Sequence, residues 1–206
     1  MRRPTLRIPA LALAAALALA ALALPGCGST GSTGSTGSAA EGLQGAALPG
    51  GILAPGFTLS DEHGRPVSLA EYRGQVVVIA FLYSGCAHAC VLIAQQIRGA
   101  LDDLPRPVPV LIVSVDPAAD TPARVSAFLR AVALSGRVRY LAGPSPALEA
   151  VWRAYRITTP ASGRAAFERA ATVLLLDGRG AERVLYQQEQ LTPEALAHDI
   201  GVLRAG

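Results

Sequence analysis

Apolar positions along this chain follow two periods. Phe57 and Leu59 alternate with Thr58 and Ser60, Asp61-Glu62-His63-Gly64 turns the chain, and Val67 and Leu69 follow, which predicts a β-hairpin beginning near Pro55. After a short turn over 69–73 and Gly74, residues 76–82 are an unbroken β-branched and apolar run, the type found in strands buried on both faces. The period then lengthens. Ile93, Ile97, Ala100, Leu101 and Leu104 recur at helical spacing and stop at Leu104-Pro105. Residues 108–115 predict a second buried strand ended by Asp116-Pro117. Asp120-Thr121-Pro122 supplies capping side chains and a first-turn proline for a helix with Val125, Phe128, Leu129 and Val132 on its apolar face. A short strand over 138–141, a helix over 144–155 carrying Leu148, Val151, Trp152 and Tyr155, and a polar loop over 157–167 come next. Residues 172–176 and 183–186 flank Asp177-Gly178-Arg179-Gly180 as a hairpin, and Thr192-Pro193 starts a last helix with Leu196, Ile200 and Leu203 on one face.

This order mixes crossover units with a terminal hairpin, so it predicts an α/β protein with a mixed central sheet and helices on both faces. A thioredoxin-like sandwich with an N-terminal hairpin extension fits it. In such a fold a reactive cysteine lies between a central strand and a helix N-terminus, where the helix dipole lowers its pKa.

The first 51 residues have a different texture. Residues 1–26 read as an export signal: Arg2, Arg3 and Arg7 precede an Ala/Leu run over 10–24 that is shorter than the ~20 residues a bilayer core needs. The run stops at Leu24-Pro25-Gly26-Cys27, which resembles the lipobox of bacterial lipoproteins and makes Cys27 the expected site of lipid attachment. Residues 27–51, with Gly-Ser-Thr repeated three times, read as a flexible spacer, leaving 52–206 as the folded domain. The expected location is therefore extracytoplasmic, held to a bacterial membrane. The net charge of +3 reflects the leader, because 3 of the 18 basic residues precede Cys27 and 15 then face 15 acids. No basic run remains to suggest nucleic acid as a partner.

Two of the three cysteines, Cys86 and Cys90, follow the 76–82 strand directly. With Cys86 in the first turn of a helix and Cys90 one turn on, both sulfurs share a face and suit a disulfide, a soft ion such as Cu(I), or thiol-disulfide exchange. A purely stabilising disulfide is disfavoured, since closing so short a loop removes only roughly 2 kcal/mol of unfolded-state entropy. His88 would lie ~200° around the helix from Cys86, so it joins the pair only if that turn is distorted. His63 and His198 read as solvent-facing, and no methionine follows Met1. Asp116, Asp120 and Thr121 read as strand-end and capping residues, with a supporting role for Asp116 and Asp120 if they lie near Cys86.

The segment Ala80-Phe81-Leu82-Tyr83-Ser84-Gly85-Cys86-Ala87-His88-Ala89-Cys90 and the segment Val113-Ser114-Val115-Asp116-Pro117-Ala118-Ala119-Asp120-Thr121-Pro122 resemble the two signature blocks of the Sco/SenC family. Residues 148–157 are similar to a third family segment, and the resemblance runs from about 55 to 203. It implies a membrane-anchored, thioredoxin-like metallochaperone that binds copper, as Cu(I) or Cu(II), through the CxxxC thiolates of Cys86 and Cys90 plus a distal histidine. The implied partner is a cytochrome c oxidase copper subunit or another exported copper or thiol protein. This chain departs from the pattern at the third ligand: counting back without gaps from 172–177 puts Arg169 at the histidine position, and arginine cannot deprotonate to ligate a metal. Ala87, His88 and Val91 also replace the usual proline, aspartate and proline. The alternative is a thiol-disulfide oxidoreductase using Cys86 and Cys90, with no copper cofactor. A peroxidase is less favoured, because Tyr83 stands where that chemistry wants threonine or serine.

Overall fold

The computed structural model describes residues 42–206. Cys27, the leader and the first part of the spacer lie outside the described residues. Strand β1 is Ala46–Ala47, β2 is Thr58–Ser60 and β3 is Pro66–Ser68. Strand β4, Val77–Leu82, leads into helix α1, Ala89–Asp103, and then β5, Val110–Ser114. Helix α2, Pro122–Ala131, β6, Arg139–Leu141, and α3, Ser145–Ala154, follow. The chain closes with α4, Arg164–Ala170, β7, Thr172–Leu176, β8, Glu182–Gln187, and α5, Pro193–Ala205.

Six strands form one sheet in the order β1-β8-β7-β4-β5-β6. β4, β5 and β6 run parallel, while β7 and β8 return antiparallel beside β4. This is the expected mixed sheet with helices on both faces. β4 is central, and every residue in it is at most 2% exposed, which is why its sequence is apolar throughout rather than alternating. Helix α1 packs with α5, and α3 sets Tyr155 on Phe81 of β4 at a ring distance of 5.3 Å. The β2–β3 hairpin is joined to the sheet where Ser60 and Ala142 exchange backbone hydrogen bonds of 2.9 and 2.8 Å. Among the described residues no helix is long and apolar enough to cross a membrane.

Two expectations need correction. The spacer was expected to reach Gly51, but β1 pairs antiparallel with β8, matching Ala46 to Leu185 and Ala47 to Val184. Just before it, the amides of Gln44 and Gly45 donate to the carboxylate of Asp199 at 2.8 and 3.0 Å. Asp199 is fully buried and also accepts from the Tyr186 hydroxyl at 2.5 Å. Its satisfied carboxylate is what holds this otherwise featureless segment. The polar loop over 157–167 is instead a single turn, Pro160–Ser162, followed by α4, which anchors through buried Phe167.

Candidate functional site

The chain leaves β4 at Leu82 and makes a tight turn, Cys86 N–H donating to Tyr83 O at 3.2 Å, before α1 begins. Cys86 therefore precedes the helix rather than standing in its first turn, while Cys90 lies in that turn. His88 is the residue at the helix N-cap, with no side-chain capping bond. Cys86 and Cys90 form a disulfide with Cα atoms 5.6 Å apart. The amide of Cys90 donates to Cys86 Sγ at 3.1 Å. Cys86 Sγ thus lies at the N-terminal end of α1 with a main-chain amide directed at it. The pair is well covered: Cys86 is 3% exposed and Cys90 is fully buried, whereas Gly85, Ala87 and His88 form the exposed rim.

Beneath this turn lies a carboxylate whose three donors are all uncharged. Asp120 accepts from the Ser84 amide at 2.6 Å, the Ser114 hydroxyl at 2.6 Å and the Tyr140 hydroxyl at 2.7 Å. The Ser84 hydroxyl adds a bond to Ala119 O at 3.3 Å. Asp120 thus ties β5, β6 and the cysteine turn together, and Thr121, not Asp120, caps α2. Burial first, and then the charge of Asp120, pushes the Tyr140 hydroxyl well above its ordinary pKa, so it stays a donor. Asp116 remains a turn residue, accepting from the Ala119 amide at 3.1 Å. Trp152 donates to Ser114 O at 2.8 Å and braces the end of β5.

Helix α4 covers the other flank. Phe167 meets Tyr83 edge to face at 5.4 Å. Burial raises the Tyr83 pKa, while Arg164, Glu168, Asp116 and Asp120 act on it as charges. Arg169, at the position of the family's distal histidine, stands exposed in the last turn of α4. His63 faces Glu62 at 3.7 Å, and His198 Nδ1 lies 3.0 Å from Asp199 Oδ1. Among the described residues no three His, Cys, Asp or Glu side chains gather where they could hold a metal ion. His88, at the N-cap of α1, is exposed at the rim of the pair. Two sulfurs at this spacing suit Cu(I), which accepts soft thiolates in low coordination.

Ser114, Tyr140 and Phe167 were not singled out from the sequence as site residues. For Ser114 the available signal was a hydroxyl in an otherwise apolar strand, and for Tyr140 an aromatic hydroxyl beside Leu141 in a short strand. Phe167 offered only a lone aromatic in a polar stretch.

The SCO1/SenC family model matches residues 46–203 of this chain. The solution structure of apo Sco1 from Thermus thermophilus superimposes with a TM-score of 0.64 at 20% identity, covering 78% of this chain and 96% of that one. Copper-bound ScoI of Bradyrhizobium japonicum does so with a TM-score of 0.54 at 23% identity, covering 73% and 98%. A Mycobacterium tuberculosis protein provisionally named a peroxiredoxin is 32% identical over 108 residues, which span 52% of this chain and 66% of that relative. The match thus spans just under two thirds of that relative's own length.

Proposed function

Since this chain belongs to the SCO1/SenC family, we propose that it is an extracytoplasmic, lipid-anchored dithiol protein that carries Cu(I) on Cys86 and Cys90 and passes it to a copper centre, such as that of cytochrome c oxidase. The observation that carries this reading is the convergence of two sulfurs at a helix N-terminus with an amide already directed at Cys86 Sγ. A partner dithiol supplies two electrons and two protons to the disulfide, becoming a disulfide itself and leaving Cys86 and Cys90 as thiols. Cu(I) then replaces both thiol protons, and the ion is cargo that leaves for a partner with stronger or more numerous ligands. Copper bound to a fold relative supports the choice of metal.

A second reading rests on the disulfide itself and on Arg169 standing at the position of the family's distal histidine. Here the Cys86 thiolate attacks a partner disulfide, expelling one partner thiolate. Cys90 then attacks Cys86 Sγ of the mixed disulfide, releasing the reduced partner and leaving Cys86–Cys90 oxidised. The likeness to a peroxiredoxin fits the shared scaffold, but Tyr83, with its ring on Phe167, occupies the position that peroxide chemistry reserves for threonine or serine.

Anaerobic titration of the reduced protein with Cu(I), in competition with a Cu(I)-specific chelator, separates the two. One-to-one binding lost in both Cys86→Ser and Cys90→Ser supports copper carriage. No binding alongside rapid exchange with a model disulfide transfers the function to the redox reading.

A further inference from the structure

We propose that the end of the sheet opposite the cysteines holds a docking pocket for an acidic, carboxylate-rich peptide segment of a partner protein. A cavity of about 740 Å³ lies between the approaches to β4 and β5, the β7–β8 turn and the end of α5. Among the described residues, Arg106, Arg179 and Arg204 line it from three stretches, beside Arg183, which is paired with the one acidic side chain of the lining, Asp177. In a chain whose charges balance from Cys27 onward, this is a local segregation of positive charge.

Asp177 is already engaged. It accepts from the amides of Arg179 and Ala181 at 2.9 and 3.0 Å and from Arg183 Nη1 at 3.1 Å. Arg204, in contrast, donates to two main-chain carbonyls, Arg106 O at 3.1 Å and Pro107 O at 2.5 Å. Carbonyls orient a guanidinium without cancelling its charge. Burial, and behind it the nearby charge of Arg106, lowers the Arg204 pKa, so two like charges are held within each other's field. The adjoining cavity of about 400 Å³ makes the contrast. Its two arginines are each matched, Arg137 with Asp102 at 2.7 Å and Arg139 with Asp61 at 3.2 Å.

The larger cavity exceeds what a single inorganic anion fills, and its floor includes Val76, Pro109 and Leu203. Guanidinium forks take carboxylates in bidentate fashion. A peptide alternating acidic with apolar side chains matches both the rim and the floor. Because the pocket sits at the far ends of β4 and β5 from Cys86, a partner seated there leaves the cysteine edge uncovered.

The test is calorimetric titration of the full chain with an alternating glutamate-leucine peptide, beside its glutamine-leucine counterpart, pyrophosphate and anionic phospholipid vesicles. The glutamate peptide should bind, more weakly as salt rises, and roughly tenfold more weakly in the Arg106→Gln, Arg179→Gln double variant. Arg137→Gln, in the neighbouring cavity, should bind as the parent does. The Arg204 Nε–H resonance of the parent should shift on titration, a readout independent of how the variants fold. Absence of binding, equal binding of the glutamine peptide, undiminished affinity in the double variant, or binding of pyrophosphate or vesicles in place of the peptide would each overturn the assignment.

Discussion

Replacing Tyr140 by phenylalanine removes one oxygen and almost no volume, so it isolates the hydroxyl that donates to Asp120 at 2.7 Å. Tyr140 is fully buried and Asp120 is 8% exposed, so water cannot readily take the hydroxyl's place. A hydrogen bond to a charged group contributes about 1.5–3 kcal/mol. For a domain of this size that corresponds to a fall in Tm of roughly 3–10 °C. The companion variant Asp120→Ala removes the acceptor from the Ser84 amide and the Ser114 and Tyr140 hydroxyls together, and is the more damaging change. Thermal unfolding of the four proteins of this cycle, with the disulfide intact, gives the coupling. Tyr140→Phe should be costly in the parent and close to neutral in the Asp120→Ala background, apart from the weak 3.5 Å bond to Leu82 O. The same penalty in both backgrounds, or an unchanged Tm in the parent, would refute the network. The Ser84 amide should stay protected from hydrogen exchange in Tyr140→Phe, because it bonds the other carboxylate oxygen.

Acid stability should depend on Asp61. Burial pushes its carboxyl upward, but the amides of Arg65 and His63 and the Arg65 guanidinium outweigh that and hold it at about 2, against an ordinary 3.8. Because the folded value is the lower one, its contribution is complete above pH 4 and fades as pH falls from 4 towards 2. Asp61→Asn should flatten that part of a pH-stability curve, and parallel curves for parent and variant would sink the argument. Asp199→Ala should free the first described residues, with faster hydrogen exchange at the Gln44 and Gly45 amides and unchanged exchange in β4. Exchange at those two amides equal to the parent's would exclude the clasp.

The order of elements and helices α1, α2, α3 and α5 were legible because the apolar period was clear in each, with cap and proline agreeing at Thr121-Pro122 and Thr192-Pro193. β1 was not, since two alanines carry no strand propensity; the open edge of β8 and the buried Asp199 hold them there. Helix α4 is seven residues with one buried anchor, too short to show a period, and it forms because Phe167 has Tyr83 to pack on. The cysteine pair was legible as a pair, but the four-residue spacing suits a helical turn and a pre-helical loop equally. Asp120 was read as a cap because its neighbour Thr121 is one. Its inward turn depends on hydroxyls from β5 and β6, distant in sequence.

The placement of β1 also decides where force goes. Among the described residues, a pull from the N-terminal side meets the Gln44 and Gly45 bonds to Asp199, then the pairing of β1 with β8, and then the backbone bonds that join Leu48, Ile52 and Ala54 to residues 180–183. All of these lie at an edge of the sheet, separated from β4 by β8 and β7. The edge is therefore a mechanical fuse by its position: force applied from that side should peel β1 while β4, the strand that leads into the cysteine turn, keeps its register.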